Sequence, residues 1–98
     1  MAHYTVAGRD FATKAAVTAE ANRIRVGTAL GERVINEGDL AFIRALLAHH
    51  PEGKRMDFDG VTTQMNVGGT TSFRLLYPDG SGDDFSVGKC VSALQPES

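Results

Sequence analysis

Between Val61 and Tyr77 the sequence alternates. Val61, Thr63, Met65 and Val67 interleave with Thr62, Gln64 and Asn66; after Gly68-Gly69-Thr70, Phe73, Leu75 and Tyr77 interleave with Ser72, Arg74 and Leu76. A period of two sends successive side chains to opposite faces of a strand, so the segment is predicted to be a β-hairpin. The glycine pair suits its turn, because glycine reaches positive φ without a steric penalty. Pro78-Asp79-Gly80-Ser81-Gly82 is a second tight turn, its proline presetting φ and its glycines permitting positive φ. Asp84-Phe85 then continues the sheet as a third strand.

The flanking segments have helical spacing. Tyr4-Thr5-Val6 reads as a short strand with a turn at Gly8, and Thr13 stands where a helix N-cap is needed. Val17, Ala21 and Ile24 recur on one face of an alanine-rich stretch, which predicts a helix from Lys14 to Ala29 with Phe11 folded back on Val17 as a staple. Glu32 to Glu37, between Gly31 and Gly38, is a connector. Asp39 is the N-cap expected for a second helix, Leu40 to His49, whose apolar face carries Leu40, Ile43, Leu46, Leu47 and His50, with Phe42 beside it. Pro51 stops it, since a proline disfavours the α conformation in the residue before it. Pro51 to Gly60 is polar and reads as a loop. Ser86 caps a last short helix with Val87, Cys90, Val91 and Leu94 on one face, and the tail from Gln95 to Ser98 is expected to fray. The expected fold is therefore α+β: a small, mostly antiparallel sheet with helices packed on one face, in the order β-α-α-β-β-β-α.

The 98 residues fit one domain, 1–98, large enough for a modest core without staples. A lone cysteine excludes an internal disulfide and fits a reducing compartment. No apolar run is long enough for a membrane span and no signal-peptide layout opens the chain, so a cytoplasmic location is expected. The net charge of -2 argues against nonspecific coating of nucleic acid, which calls for a far more basic chain. Any nucleic-acid contact is expected to use a local basic patch.

Several short motifs occur in a fixed order. Phe11-x-Thr13-Lys14 opens the first helix; Leu46-Leu47-x-x-His50-Pro51 closes the second and Lys54 follows; Phe73 lies on a strand; Asp79-Gly80-Ser81 makes a turn; and Asp84-Phe85-Ser86-x-x-Lys89-Cys90 leads into the last helix. This series resembles the defective chloroplasts and leaves (DCL) domain family of plants and bacteria, from about Tyr4 to Leu94. Asp57-Phe58-Asp59-Gly60 and Gly88 depart from the family pattern. The resemblance implies a nucleic-acid role. Plant members are associated with plastid ribosomal RNA maturation, similar domains end the largest subunits of plant RNA polymerases of RNA-directed DNA methylation, and bacterial relatives sit beside HNH-type nuclease domains. The function it implies is a noncatalytic DNA reader, with a modified cytosine (oxidised or carboxylated) as target and an HNH-type nuclease domain in the same or a neighbouring chain as effector. An RNA-binding or ribosomal-RNA-processing accessory role is the alternative.

The candidate contact residues are Thr13, Lys14, His50, Lys54, Arg55, Arg74, Ser86 and Lys89. Lys14 lies in the first turn of its helix, where a cation is unfavourable, which argues for a role outside that helix. Arginine offers a planar fork suited to carboxylate, phosphate or guanine. His49 and His50 point about 100° apart on a helix and do not chelate together easily, and no spacing joins them to His3 and Cys90, so neither a metal nor a cofactor is expected. His50 is expected to cap its helix. Asp83-Asp84 lacks the further carboxylates of a nuclease centre, and Asp84 is expected to order its turn or pair with Lys89 or Arg74. Phe85 and Tyr77 are expected in the core, with the lining of a pocket for a flipped base as the competing role.

Overall fold

The computed structural model describes residues 3–96; of the predicted fraying tail, the last two residues lie outside that range. Eight elements follow one another: β1 (Tyr4–Val6), β2 (Arg9–Phe11), α1 (Lys14–Val26), α2 (Glu37–Leu47), β3 (Gly60–Met65), β4 (Thr71–Leu76), β5 (Gly82–Phe85) and α3 (Val87–Ser92). They make the expected α+β domain, with a two-stranded sheet β1-β2 and a three-stranded antiparallel sheet β3-β4-β5. The opening strand is itself a hairpin. Val6 pairs with Arg9 across a two-residue loop in which Ala7 and Gly8 both have positive φ, 54° and 75°. That left-handed pair is the type I′ geometry that matches strand twist. Phe11, expected as a staple on Val17, sits at the end of β2 and meets Phe42 edge-on, with ring centroids 5.8 Å apart.

Both main helices start and stop for identifiable reasons. Thr13 caps α1 as predicted, its hydroxyl accepting the Ala16 N–H at 3.0 Å. The helix ends at Val26, three residues short of the prediction: Gly27 is its C-cap, the Thr28 N–H tightens onto the Arg25 carbonyl, and the Thr28 hydroxyl takes the Ile24 carbonyl. α2 starts earlier than predicted. Its cap is Asn36, whose side chain accepts the Asp39 N–H, so Asp39 lies inside the first turn. Asparagine suits the cap and Asp39 then sits where its charge favours the helix dipole. The helix also stops at Leu47, with the His49 and His50 N–H groups closing a tighter turn on Leu46 and Leu47. The C-cap is thus Ala48 rather than His50, whose ring instead accepts the Glu52 N–H beyond the helix, and Pro51 bars any continuation.

The predicted alternation holds in the sheet. Val61, Phe73, Leu75 and Phe85 are buried on the face that meets the helices, while Thr62, Gln64, Ser72, Arg74 and Asp84 share the other. α1 presents Val17, Ala21 and Ile24, and α2 presents Phe42, Ile43, Leu46 and Leu47. Cys90, Val91 and Leu94 close the core from α3 and the residues after it. The 31–34 connector does more than connect. It runs along the free edge of β3, where the Gly31 and Val34 N–H groups bond the Thr63 and Val61 carbonyls and the Thr62 hydroxyl takes the Glu32 carbonyl. An exposed strand edge invites aberrant pairing, and this strap occupies it. The polar 51–60 loop is likewise tied down: Phe58 is buried beneath the Arg44 guanidinium, 4.2 Å from its ring centre, and Arg44 also donates to the Met56 carbonyl. Among the described residues no helix is long and apolar enough to cross a membrane.

Candidate nucleic-acid interface

A cleft of about 770 Å³ opens where four segments meet. One wall is the second half of α1, through Asn22 and Arg25; another is the β3–β4 hairpin end, through Asn66 and Gly69 to Ser72. The loop after α2 supplies His50, Glu52 and Lys54, and the β5–α3 junction supplies Asp84, Ser86 and Lys89. Phe73 and Phe85 line the cleft as well as the core. They are cross-strand partners whose rings stack at 5.8 Å with planes 10° apart. The cleft therefore has the almost wholly buried Phe73 and Phe85 at its base and a polar rim of mixed charge, with Arg25, Lys54 and Lys89 beside Glu52 and Asp84.

His50 is the most informative rim residue. It is only 6 % exposed, and its Nδ1 accepts the Glu52 N–H at 3.1 Å. A neutral imidazole that accepts at Nδ1 carries its proton on Nε2. The Glu52 N–H is the ring's one hydrogen-bond partner among the described residues, and His50 lines the cleft, which leaves Nε2–H as the donor it can offer there. The ring thus offers one fixed donor. Lys54 is held against Asp83 at 3.1 Å, and that hydrogen bond raises its pKa above the usual lysine value despite desolvation. Lys89 is looser, 3.8 Å from Glu52 with both side chains mostly exposed. Arg25 donates to the Thr71 hydroxyl, which ties the cleft's helical wall to its hairpin wall.

Four of the eight predicted contact residues, His50, Lys54, Ser86 and Lys89, line this cleft, and four do not. Thr13 is engaged as the α1 cap. Lys14 reaches across to the Ser92 carbonyl at 3.0 Å and lies 5.9 Å from the Tyr4 ring centre. The misfit of a cation at a helix N-terminus is thus relieved by the C-terminal end of α3, where a cation is favoured. Arg55 forms a double hydrogen bond with Asp57, stacks 4.2 Å over Tyr77, and stands 3.6 Å from Asp79. Arg74 points to the outer sheet face, bonded to Gln64 at 3.4 Å and packed over Gly82, where a Cβ would come within 2.5 Å of Nη2. Ser86 serves first as the α3 cap, accepting the Lys89 N–H at 3.3 Å.

Other expectations sort similarly. Asp84 faces Arg74 across the strands, but the carboxylate that holds a lysine is Asp83, on Lys54. The turn carboxylate is Asp79, whose Oδ1 accepts from Ser81 and whose pKa is lowered by those bonds. Tyr77 is buried and donates to the Arg55 carbonyl at 3.3 Å; burial raises its pKa. Among the described residues no three His, Cys, Asp or Glu side chains are placed to share a metal. Sequence reasoning missed Asn22, Arg25 and the polar hairpin end. The available signal was the i, i+3 pair Asn22 and Arg25 beside the buried Ala21–Ile24 stripe, and the unbroken polar run Gly69 to Ser72.

No curated protein matches the chain. Among solved structures it is similar to an uncharacterized protein from Rhodospirillum rubrum, known from a solution NMR structure. The two are 28% identical, with a TM-score of 0.76 over 88% of this chain and 85% of that one. Residues 22–91 match a family model described as protein of unknown function (DUF3223), a span that holds every wall of the cleft, and the chain belongs to that family.

Proposed function

We propose that this domain is a noncatalytic DNA-reading module that takes a nucleobase into the cleft between α1, the β3–β4 hairpin and the β5–α3 junction. The observation that carries the reading is the combination of a stacked aromatic pair at the base of the cleft with donors at its rim. A base has an apolar face and a polar edge, and a site for one pairs aromatic or apolar contact with directed hydrogen bonds. The His50 Nε2–H, Arg25, Lys54 and Lys89 make the rim rich in donors. That surplus suits a base with an added acceptor or negative charge, and an oxidised or carboxylated cytosine has that chemistry. Phosphates flanking the base would meet the looser cations, of which Lys89 is the most exposed.

Nothing in this reading asks the domain for bond chemistry. Its one thiol is buried and pushed up to about 11 by desolvation, which leaves it protonated and unreactive near neutrality. Cleavage would belong to an effector, and an HNH-type nuclease domain is the partner proposed. A binding panel at one fixed salt concentration tests the reading: single- and double-stranded DNA and RNA of one sequence, with cytosine, hydroxymethylcytosine or carboxylcytosine at the centre. The expected result is tightest binding to modified DNA. Preference for RNA of the same sequence would move the site to the RNA alternative, and no binding even at low salt, where phosphate attraction is strongest, would overturn both.

A further inference from the structure

The hairpin that walls the cleft ends in an apolar side chain that nothing covers. Val67 is 106% exposed, and Met65 beside it is 56% exposed. The last strand pairing is Met65 with Thr71, so Val67 stands beyond the sheet in the turn closed by the Asn66 N–H on the Thr70 carbonyl. The turn is rigidly specified. Gly68 and Gly69 hold φ of 100° and 90°, and the Asn66 side chain bonds the hydroxyls of Thr70 and Ser72. Asn66, Gly69 and Thr70, on either side of Val67, line the cleft. A β-branched apolar residue is thus held stiffly in solvent beside the cleft, next to residues that line it, with Arg25 anchoring the hairpin through Thr71.

We propose that Val67 is a wedge that enters the duplex beside the target nucleotide and fills the gap its base leaves on turning into the cleft. The inference rests on the DNA-reading proposal above. Proteins that unstack duplex DNA insert apolar side chains of this kind between base steps, and a stiff side chain loses little rotamer freedom in doing so. Val26, Leu30 and Ile35 are also exposed, at the end of α1 and in the segment before α2 rather than on the hairpin that walls the cleft. The tip position of Val67 past the paired strands, and its continuity with the cleft, favour insertion into DNA.

The test compares the unaltered domain with Val67→Ser by fluorescence anisotropy on three probes of one sequence with a central carboxylcytosine: the single strand, the fully paired duplex, and a duplex in which that base is mismatched. Thermal midpoints of the two proteins should agree, since Val67 packs against nothing. The wedge predicts about tenfold weaker binding of the variant to the paired duplex, with the single strand and the mismatched duplex changed by less than about twofold, because their target base is already unstacked. Equal binding of both proteins to the paired duplex, or an equal loss on all three probes, overturns the wedge and leaves the cleft reading standing. Failure of the unaltered domain to bind any probe overturns the DNA reading and the wedge with it. Self-association of the unaltered domain that Val67→Ser abolishes, with duplex affinity unchanged, assigns the tip to a protein contact and also overturns the wedge.

Discussion

Lys14 and Lys89 are matched in sequence, each placed at or near the start of a helix, and the structure separates them. Lys14 is spent on the Ser92 carbonyl and the Tyr4 ring, whereas Lys89 stands on the cleft rim with only a 3.8 Å approach from Glu52. The variants should therefore diverge. Lys89→Ala is expected to weaken DNA binding several-fold and to lower the dependence of log affinity on log salt by about one phosphate contact. Lys14→Ala should leave affinity and salt slope unchanged and lower thermal stability instead, by about 1 kcal/mol or less for a partly exposed charged hydrogen bond. Anisotropy titrations at several salt concentrations, with melting curves, separate the two. A sequence reading could not rank these lysines, because what occupies Lys14 lies 78 residues away along the chain.

Among the elements, α1 carries the densest polar wiring. Glu20 accepts from Arg9 on β2 and from Arg23 on its own helix, and Arg23 also donates to Asp39 of α2 at 2.9 Å. These two hydrogen bonds hold the Glu20 carboxyl below its ordinary pKa. A carboxyl lowered in the folded state stabilises it fully above the unfolded-state pKa, and that contribution fades as pH falls through the folded-state value. Glu20→Gln should thus be less stable than the unaltered domain at pH 7, and the gap should close on acidification through the carboxylate range in denaturant titrations at stepped pH; a gap that is constant with pH would dismiss the charge argument. The β1–β2 turn gives a prediction of opposite sign. Ala7 holds φ of 54°, a conformation that asparagine tolerates better. Ala7→Asn creates the Asn-Gly pair favoured in such turns and is expected to raise stability by about 0.5–1 kcal/mol, read as a higher denaturation midpoint at unchanged slope. This second strand went unread in the sequence because Arg9-Asp10-Phe11 is too short and too polar to show a period; only its register with Tyr4 to Val6 reveals it. The α2 start was misjudged for a related reason: Gly38 looks like a breaker, yet Asn36 two residues earlier caps the helix and carries the chain through it.

At the scale of the whole molecule the helices, the sheet face and the aromatic pair share one core, and Cys90 reports on it. Its side chain is fully buried and its pKa is pushed up to about 11 by desolvation. At pH 8 an exposed thiol reacts readily with a disulfide reagent, but Cys90 should react only when the fold opens, with a labelling rate that follows the unfolding equilibrium as denaturant is added. Fast labelling of the native protein would mean that α3 opens on its own. The period-two alternation of 61–77, the α1 stripe, the Thr13 and Ser86 caps and the two glycine turns were legible in the chain itself, because each depends on neighbours within a few residues. The cleft was not. Arg25, His50, Thr71 and Lys89 meet only when α1, the loop after α2, the hairpin and α3 pack together. The same packing engages Lys14 with Ser92, sets Arg55 over Tyr77 and near Asp79, and turns Arg74 to the outer sheet face on Gln64. Local sequence therefore determined the elements and their ends, through hydrogen bonds and sterics that act over a turn or a strand pair. The site was decided by tertiary structure, since burial, charge partners and the direction of a donor such as His50 Nε2–H exist only once remote segments share a boundary.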